Sequence, residues 1–262
     1  MTTGTASATA GGRLLTLAMA TIMTMATSLP VFLVGGLSVQ IRAEMAFDRT
    51  GLGLAAAAFF ATSAVTAVAG GSLGERLGAR NALRLAMLLG AAALLGIGLV
   101  ATSWWHLVTL LGVAGVADAI AQPTSNMVVA RVASARHHGF AFGLKQSAIP
   151  FAALVAGSAV PLVALRAGWR WAFIGAAALA LALLAAAASQ PITRMPVRAG
   201  GRWRPGQRRP LIMLAAVGLV GGGSATAMAT FFVDSAVARG LSSGVAGIWL
   251  VAGSICCIFG VV

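Results

Sequence analysis

The stretch Leu14–Gln40, LLTLAMATIMTMATSLPVFLVGGLSVQ, carries no charged residue over its whole length. An α-helix rises 1.5 Å per residue and needs about 20 apolar residues to cross the hydrocarbon of a bilayer. This run exceeds that length. Four more uncharged runs follow, Thr50 to Gly74, Trp171 to Thr193, Pro210 to Val233 and Gly240 to Val262. Strands crossing a membrane would alternate apolar and polar residues over about 10 positions, and these runs do not. The pattern predicts an all-α integral membrane protein.

Composition agrees with that reading. Of the 262 residues, 59% are hydrophobic and 9% charged, and the mean hydropathy is +0.94. A soluble domain carries about 25% charged residues, so this chain could not cover a water-facing surface. Its net charge of +13 could suggest nucleic acid, but the placement of the charges argues for topology instead. With the amino terminus cytoplasmic, twelve basic residues fall on the inside (Arg13, Arg76, Arg80, Arg84, Arg131, Arg136, Arg194, Arg198, Arg202, Arg204, Arg208, Arg209) and five outside (Arg42, Arg49, Arg166, Arg170, Arg239). That asymmetry is the bias that orients helices at insertion. It predicts a multi-pass protein of the cell inner membrane, with the bilayer and not nucleic acid as its surroundings.

Eight spans are expected, at roughly 14–38, 51–73, 81–101, 107–130, 140–164, 171–190, 210–233 and 244–262. The long apolar stretch from Leu85 to Ala130 divides at Thr102-Ser103-Trp104-Trp105-His106, where paired tryptophans suit the headgroup layer. The amino terminus is read as an uncleaved first span, since no small-residue cleavage site follows its long apolar run. Residues 191–210, PITRMPVRAGGRWRPGQRRP, hold six arginines and four prolines and read as a solvated connection. The expected organisation is a six-helix first half (1–190), a basic cytoplasmic linker (191–209), and the first two helices of a second half (210–262). Thr50-Gly51-Leu52 and Ser243-Gly244-Val245 open spans two and eight, 193 residues apart, as a parallel repeat of the two halves would have it.

Between spans two and three the chain reads Gly71-Ser72-Leu73-Gly74-Glu75-Arg76-Leu77-Gly78-Ala79-Arg80. Gly78 permits a tight turn, and Glu75 and Arg76 can pair or hold neighbouring helix ends. This resembles the signature loop of the major facilitator superfamily, G-x-L-a-D-R-x-G-R-R. Gly71, Leu73, Arg76, Gly78 and Arg80 match it, Glu75 stands for aspartate, and Ala79 replaces a basic residue. Gly168-Trp169-Arg170-Trp171-Ala172-Phe173 and the loop Arg136-His137-His138-Gly139 also resemble parts of that family. The resemblance implies two six-span halves, so a chain of eight spans would lack the last four. It implies secondary active transport of a small solute by alternating access, coupled to a proton or another ion, with residues 71–80 as a cytoplasmic gating loop. Leu111 and Gly112 stand where proton-driven drug exporters carry an arginine before a glycine, and Ala148-Ile149-Pro150 is only a trace of the antiporter pattern. Drug–proton antiport is therefore not implied.

Ionisable groups inside a membrane are costly and mark function by default. Asp118 lies mid-span, and Gln122 and Asn126 follow at i+4 and i+8 on the same helix face. This stripe faces either a water-filled cavity or a partner helix; the resemblance, which puts the first and fourth spans at a central cavity, favours the former. Lys145, beside Gln146, either snorkels to the cytoplasmic surface or serves the cavity, and helical rise puts Asp118 about 10 Å deeper, too far for a direct pair. Thr21, Thr24 and Ser28 share one face of the first span, either for solute or bonded to their own backbone carbonyls. Asp234 is expected to meet solvent or Arg239, and Arg42, Glu44, Asp48 and Arg49 to form a solvated outer loop. The adjacent Cys256 and Cys257 point in different directions and form no disulfide. No histidine has a ligand-like partner, so neither metal nor cofactor is expected. Two other readings stand beside transport: a fragment that transports nothing, and a membrane-embedded enzyme, for which three histidines and five carboxylates are too few and too scattered. The charge of the solute stays open.

Overall fold

A computed structural model describes residues 10–133, 135–188 and 208–261. Among them are α1 (Ala10–Gly36), α2 (Ser38–Met45), α3 (Arg49–Leu77), α4 (Ala79–Leu99), α5 (Trp104–Val132), α6 (His138–Gln146), α7 (Ala148–Ala159), α8 (Leu165–Ala167), α9 (Trp169–Ala188), α10 (Arg208–Ala238) and α11 (Ser243–Val261). Most of the linker expected at 191–209 lies outside the described residues. Among the described residues, eight helical stretches are long and apolar enough to cross a membrane: 14–36, 49–77, 79–99, 104–132, 138–167, 169–186, 209–238 and 243–260. They match the eight expected spans to within a few residues at each boundary.

The fifth span is not the single regular helix the apolar run suggested. It breaks at Ser147 and again at a π-helical turn, Val160–Ala164. Proline explains both places. Pro150 has no N–H to offer the carbonyl one turn back, and Pro161 deprives Gly157 in the same way. The Gly157 carbonyl instead accepts from the N–H of Val160, and the chain widens into the π turn to regain its ladder.

Helix starts follow side-chain chemistry, though not at the residues first singled out. The Asp48 carboxylate, rather than Thr50, caps α3 by accepting from the N–H of Gly51 at 2.7 Å. The Ser242 hydroxyl, rather than Ser243, accepts from the N–H of Val245 at 3.4 Å at the start of α11. Each is a side-chain oxygen taking up an orphan donor of the first turn.

Small residues let the helices approach without a hydrophobic drive between them. A Cβ added at Gly70 of α3 would run into the Ala119 carbonyl of α5, and one at Gly115 of α5 into the Phe59 carbonyl of α3. The centre of the first six spans is α1, which packs against α4, α5, α7 and α9. Met25, Leu29, Val31, Phe32, Leu33 and Val34 sit in the largest buried cluster.

The last two spans join this bundle mainly at one end. The side of Gly35 in α1 abuts the backbone of Thr230 in α10, and Gly157 of α7 crosses Gly247 of α11 so closely that a Cβ on either would meet the other's carbonyl. From Thr230 to Asp234 α10 is packed, whereas residues 209–225 are exposed along the whole helix surface. The two groups of helices thus meet near Thr230 and part toward the end that carries Arg76.

Candidate functional site

Asp118 is buried mid-way along α5, and side chains of α1, α3 and α5 meet at its carboxylate, with α6 joined through one of them. Ser28 of α1 donates to Oδ1 at 2.8 Å, with Thr27 at 3.5 Å beside it. Ser63 of α3 donates to Oδ2 at 3.2 Å. One turn along α5, the Gln122 amide donates to Oδ1 at 3.3 Å. The carbonyl of that same amide accepts from the Lys145 ammonium of α6 at 2.5 Å. Only this amide orientation satisfies both neighbours, since the ammonium has only donors and the carboxylate only lone pairs. Lys145 also donates to Gln146 Oε1 at 3.3 Å.

The stripe read from the sequence is therefore real in its first two members. Asp118 and Gln122 act together, while Asn126 is exposed and takes no part in the network. Asp118 and Lys145 make no direct ion pair, as helical rise implied, but Gln122 spans the gap between them. Snorkelling of Lys145 is corrected: the residue is 2% exposed, and its head turns inward to Gln122. Of the three hydroxyls on α1, only Ser28 reaches the carboxylate. Thr21 donates to the Leu17 carbonyl at 2.9 Å and Thr24 to the Ala20 carbonyl at 2.8 Å, which is the backbone-bonded alternative. Thr27 and Ser63 were missed. Their hydroxyls have nothing in local sequence to set them apart from threonines and serines that bond their own helix.

The loop Gly71, Glu75, Arg76, Gly78 and Arg80 sits at one helix end. Gly78 alone joins α3 to α4, with φ +76°, a conformation that strains any residue bearing a Cβ. Arg76 is exposed and Glu75 half-buried, and they form no ion pair with each other. Among the described residues, no three of His, Cys, Asp and Glu gather as a metal would need.

At the opposite end the expected solvated loop is replaced by two ion clusters. Asp234 is buried and does not meet Arg239. Instead it accepts from Arg42 Nη2 at 2.5 Å and Arg49 Nε at 2.9 Å. This happens because Ser38–Met45 forms a helix that lays Arg42 across the face of α10. Glu44 accepts from Arg170 Nη2 at 2.7 Å and from the Trp169 indole at 2.6 Å, and the Arg170 guanidinium lies over the Trp169 ring. The hydrogen bond from Arg170, helped by that from Trp169, holds the Glu44 carboxyl below the usual carboxylate range against a smaller opposing effect of burial. A depressed carboxyl stabilises the fold above its unfolded pKa and loses that contribution as pH falls through the folded value. Thermal unfolding in detergent should therefore fall off more steeply below the usual carboxylate range in the native protein than in Glu44→Gln. Superimposable acid limbs would remove Glu44 from the clamp.

Three solved structures share the architecture. A D-xylose–proton symporter superposes with TM-score 0.69 at 16% identity, covering 94% of this chain and 67% of its own. A bacterial homologue of the human lysosomal transporter Spinster, inward-facing and unoccupied, gives 0.69 at 15% identity, covering 94% and 60%. The xylose transporter from E. coli, inward open, gives 0.59 at 18% identity, covering 85% and 56%. The likeness is one of fold, and the chain spans only part of the length of each. No curated protein matches the sequence. Residues 14–262 match the family description Major Facilitator Superfamily, which spans nearly the whole chain and agrees with the eight helices, and on that ground the chain belongs to the Major Facilitator Superfamily.

Proposed function

We propose that the chain carries the proton-binding half of a secondary transporter, which moves a small solute across the membrane by alternating access. The observation that carries this reading is Asp118: a carboxylate buried mid-membrane, shared by α1, α3 and α5, and linked through one amide to a buried ammonium. Such a group is expensive in hydrocarbon and is kept where it binds an ion, a proton or a solute. The arrangement of helices supports the second element. Contact near Thr230 with separation over 209–225 is the form expected of two bodies that rock about a central site. The basic loop at Arg76 then faces the cytoplasm, following the twelve-to-five asymmetry of arginines, and the Asp234 cluster faces outward. One of the structures sharing the fold is described as a proton symporter, which is consistent with a proton on Asp118. The five gating-loop residues would act at the cytoplasmic closure, with Gly78 providing the hinge.

The test is gradient-driven uptake by the full chain in proteoliposomes, using a panel of labelled solutes. Accumulation of at least one solute above its equilibrium level, collapsed by a protonophore, is the expected result. Accumulation that a protonophore leaves unchanged, or none with any solute, would defeat the reading.

A further inference from the structure

The cluster around Asp118 is unequal in what it leaves unsatisfied, and the inequality points to the charge of the solute. Asp118 is well supplied with donors: Ser28 and Gln122 donate to Oδ1 and Ser63 to Oδ2, while the neighbouring Thr27 gives its hydroxyl proton to the Thr24 carbonyl at 2.9 Å. These donors already offset much of the carboxylate's charge, which leaves a cationic solute less to gain there. Lys145 is in the reverse position. Its ammonium has three N–H donors, and the structure gives it two acceptors, Gln122 Oε1 and Gln146 Oε1. Both are neutral amide oxygens. Among the described residues the third N–H has no partner and no carboxylate stands within ion-pairing distance, although the side chain is 2% exposed. Gln146, one of the two acceptors, is exposed, so polar surface adjoins the ammonium on that side.

Resting on the transport reading above, we propose that the solute is a monoanion held at the Lys145 ammonium, and that one proton on Asp118 travels with it. The reason is charge balance in a medium of low dielectric. With Asp118 ionised, the pair Asp118 and Lys145 is neutral across Gln122, and an added anion meets a compensated site. Once Asp118 takes a proton, the ammonium is left as an uncompensated buried cation, which is costly. An anion restores neutrality. Proton and anion therefore favour each other's binding, and by linkage the favour is mutual. No net charge moves with the pair, so transport follows the pH gradient and not the membrane potential. A cationic solute would find the carboxylate already supplied with donors and the ammonium repelling it.

Other charges do not supply the balance. On the helices packed around the cluster, Arg49 and Glu75 of α3, Arg80 and Arg84 of α4, Arg131 of α5 and Arg170 of α9 lie within two turns of helix ends. His106 of α5 and His138 of α6 open their helices. Among the described residues Asp118 is the charged side chain at mid-span, and Lys145, about 10 Å nearer the end that carries Arg76, is the ammonium joined to it through Gln122.

Binding to the purified full chain tests this without needing transport. The probes are chloride, formate, lactate, phosphate and benzenesulfonate, with lactamide, benzenesulfonamide and choline as neutral and cationic counterparts, read as ligand-induced thermal shift and by calorimetry. Benzenesulfonate stays ionised at every pH used. At least one anion should bind, its affinity rising by up to about tenfold for each pH unit lowered, the slope of one coupled proton. The neutral and cationic counterparts should not bind. Asp118→Asn should retain anion binding while losing the pH slope, Lys145→Gln should lose the anion, and Lys145→Arg should keep it. Equal binding of the uncharged counterparts, anion binding that survives Lys145→Gln, or no anion binding to folded Asp118→Asn would each overturn the proposal. Anion binding with no uptake in liposomes would leave the anion site standing and defeat the transport reading. Protonophore-sensitive uptake of a neutral solute or a cation would do the reverse.

Discussion

Asp118→Asn is expected to abolish uphill accumulation of solute while leaving a folded protein in the membrane. Asparagine has the same shape, and its carbonyl oxygen can still accept from Ser28 and Gln122, the contacts made by Oδ1. Its amide nitrogen replaces the oxygen that Ser63 now donates to, and the Ser63 hydroxyl can rotate to accept instead. The hydrogen-bond frame between α1, α3 and α5 thus survives. What is lost is the ability to take up and release a proton. A positioned proton-carrying side chain typically contributes about 100-fold or more to a step that depends on it, so the initial rate of pH-driven uptake should fall by at least roughly that factor. Exchange of solute at equilibrium needs no net proton movement and should be much less affected. The measurement is the ratio of driven uptake to counterflow in proteoliposomes at matched protein content. A variant that still concentrates solute to the native level would remove Asp118 from the coupling step, wherever else it might serve.

The sequence disclosed the parts of this molecule that depend on local pattern. Uncharged runs of membrane-crossing length marked five of the eight spans, and the other three showed as apolar stretches holding one charge each, Arg84, Asp118 or Lys145, because hydrocarbon admits a charge only at high cost and a run of twenty apolar residues has few other uses. Gln122 was legible as a partner of Asp118, since i and i+4 share a helix face whatever the fold around them. The partners that come from other helices were not legible. Ser28 and Ser63 stand 90 and 55 residues from Asp118, and no periodicity in α1 or α3 marks which hydroxyl leaves its own backbone to cross to a neighbour. Lys145 illustrates the same limit. Depth along the helix was readable, but whether its stem runs outward or inward depends on where the break at Ser147 aims α6. The charges beyond the membrane failed for a related reason. Arg42 and Asp234 are separated by 192 residues, so a mixed-charge loop looked solvated when its charges in fact pair with another helix. The role of Gly78 came through cleanly because a positive φ is a local demand that glycine alone meets without strain.

Asp234→Ala should unlatch the end at which the two groups of helices meet. Asp234, 7% exposed, is the single acid between Arg42, 21% exposed, and the more open Arg49, 62% exposed. Removing one partner of a buried pair leaves the other charge uncompensated, typically a loss of about 3–5 kcal/mol. Exposure of Arg49 discounts that here to roughly 2–3 kcal/mol, a shift of about 30- to 150-fold in an equilibrium between two states. The neighbouring surface is prepared for opening. Ser38 Oγ, Thr230 Oγ1 and Arg42 Nε are buried without a hydrogen-bond partner, so each gains from water when α2 and α10 separate. The closing contacts that oppose them are apolar and short, as where Gly35 abuts the Thr230 backbone. The readout is the rate at which a membrane-impermeant maleimide labels Ser38→Cys in a background with Cys256→Ser and Cys257→Ser. That position is fully buried, and its labelling reports separation of the seam. In Asp234→Ala the rate should rise by about tenfold or more, consistent with the shift above. Arg42→Ala should give a rise of similar size and Arg49→Ala a smaller one, because the better-solvated arginine contributes less to the pair. An unchanged rate in Asp234→Ala would mean that the glycine crossings alone hold the seam shut. A larger effect from Arg49 than from Arg42 would place the latch outside the buried pair and move it to the exposed rim of α3.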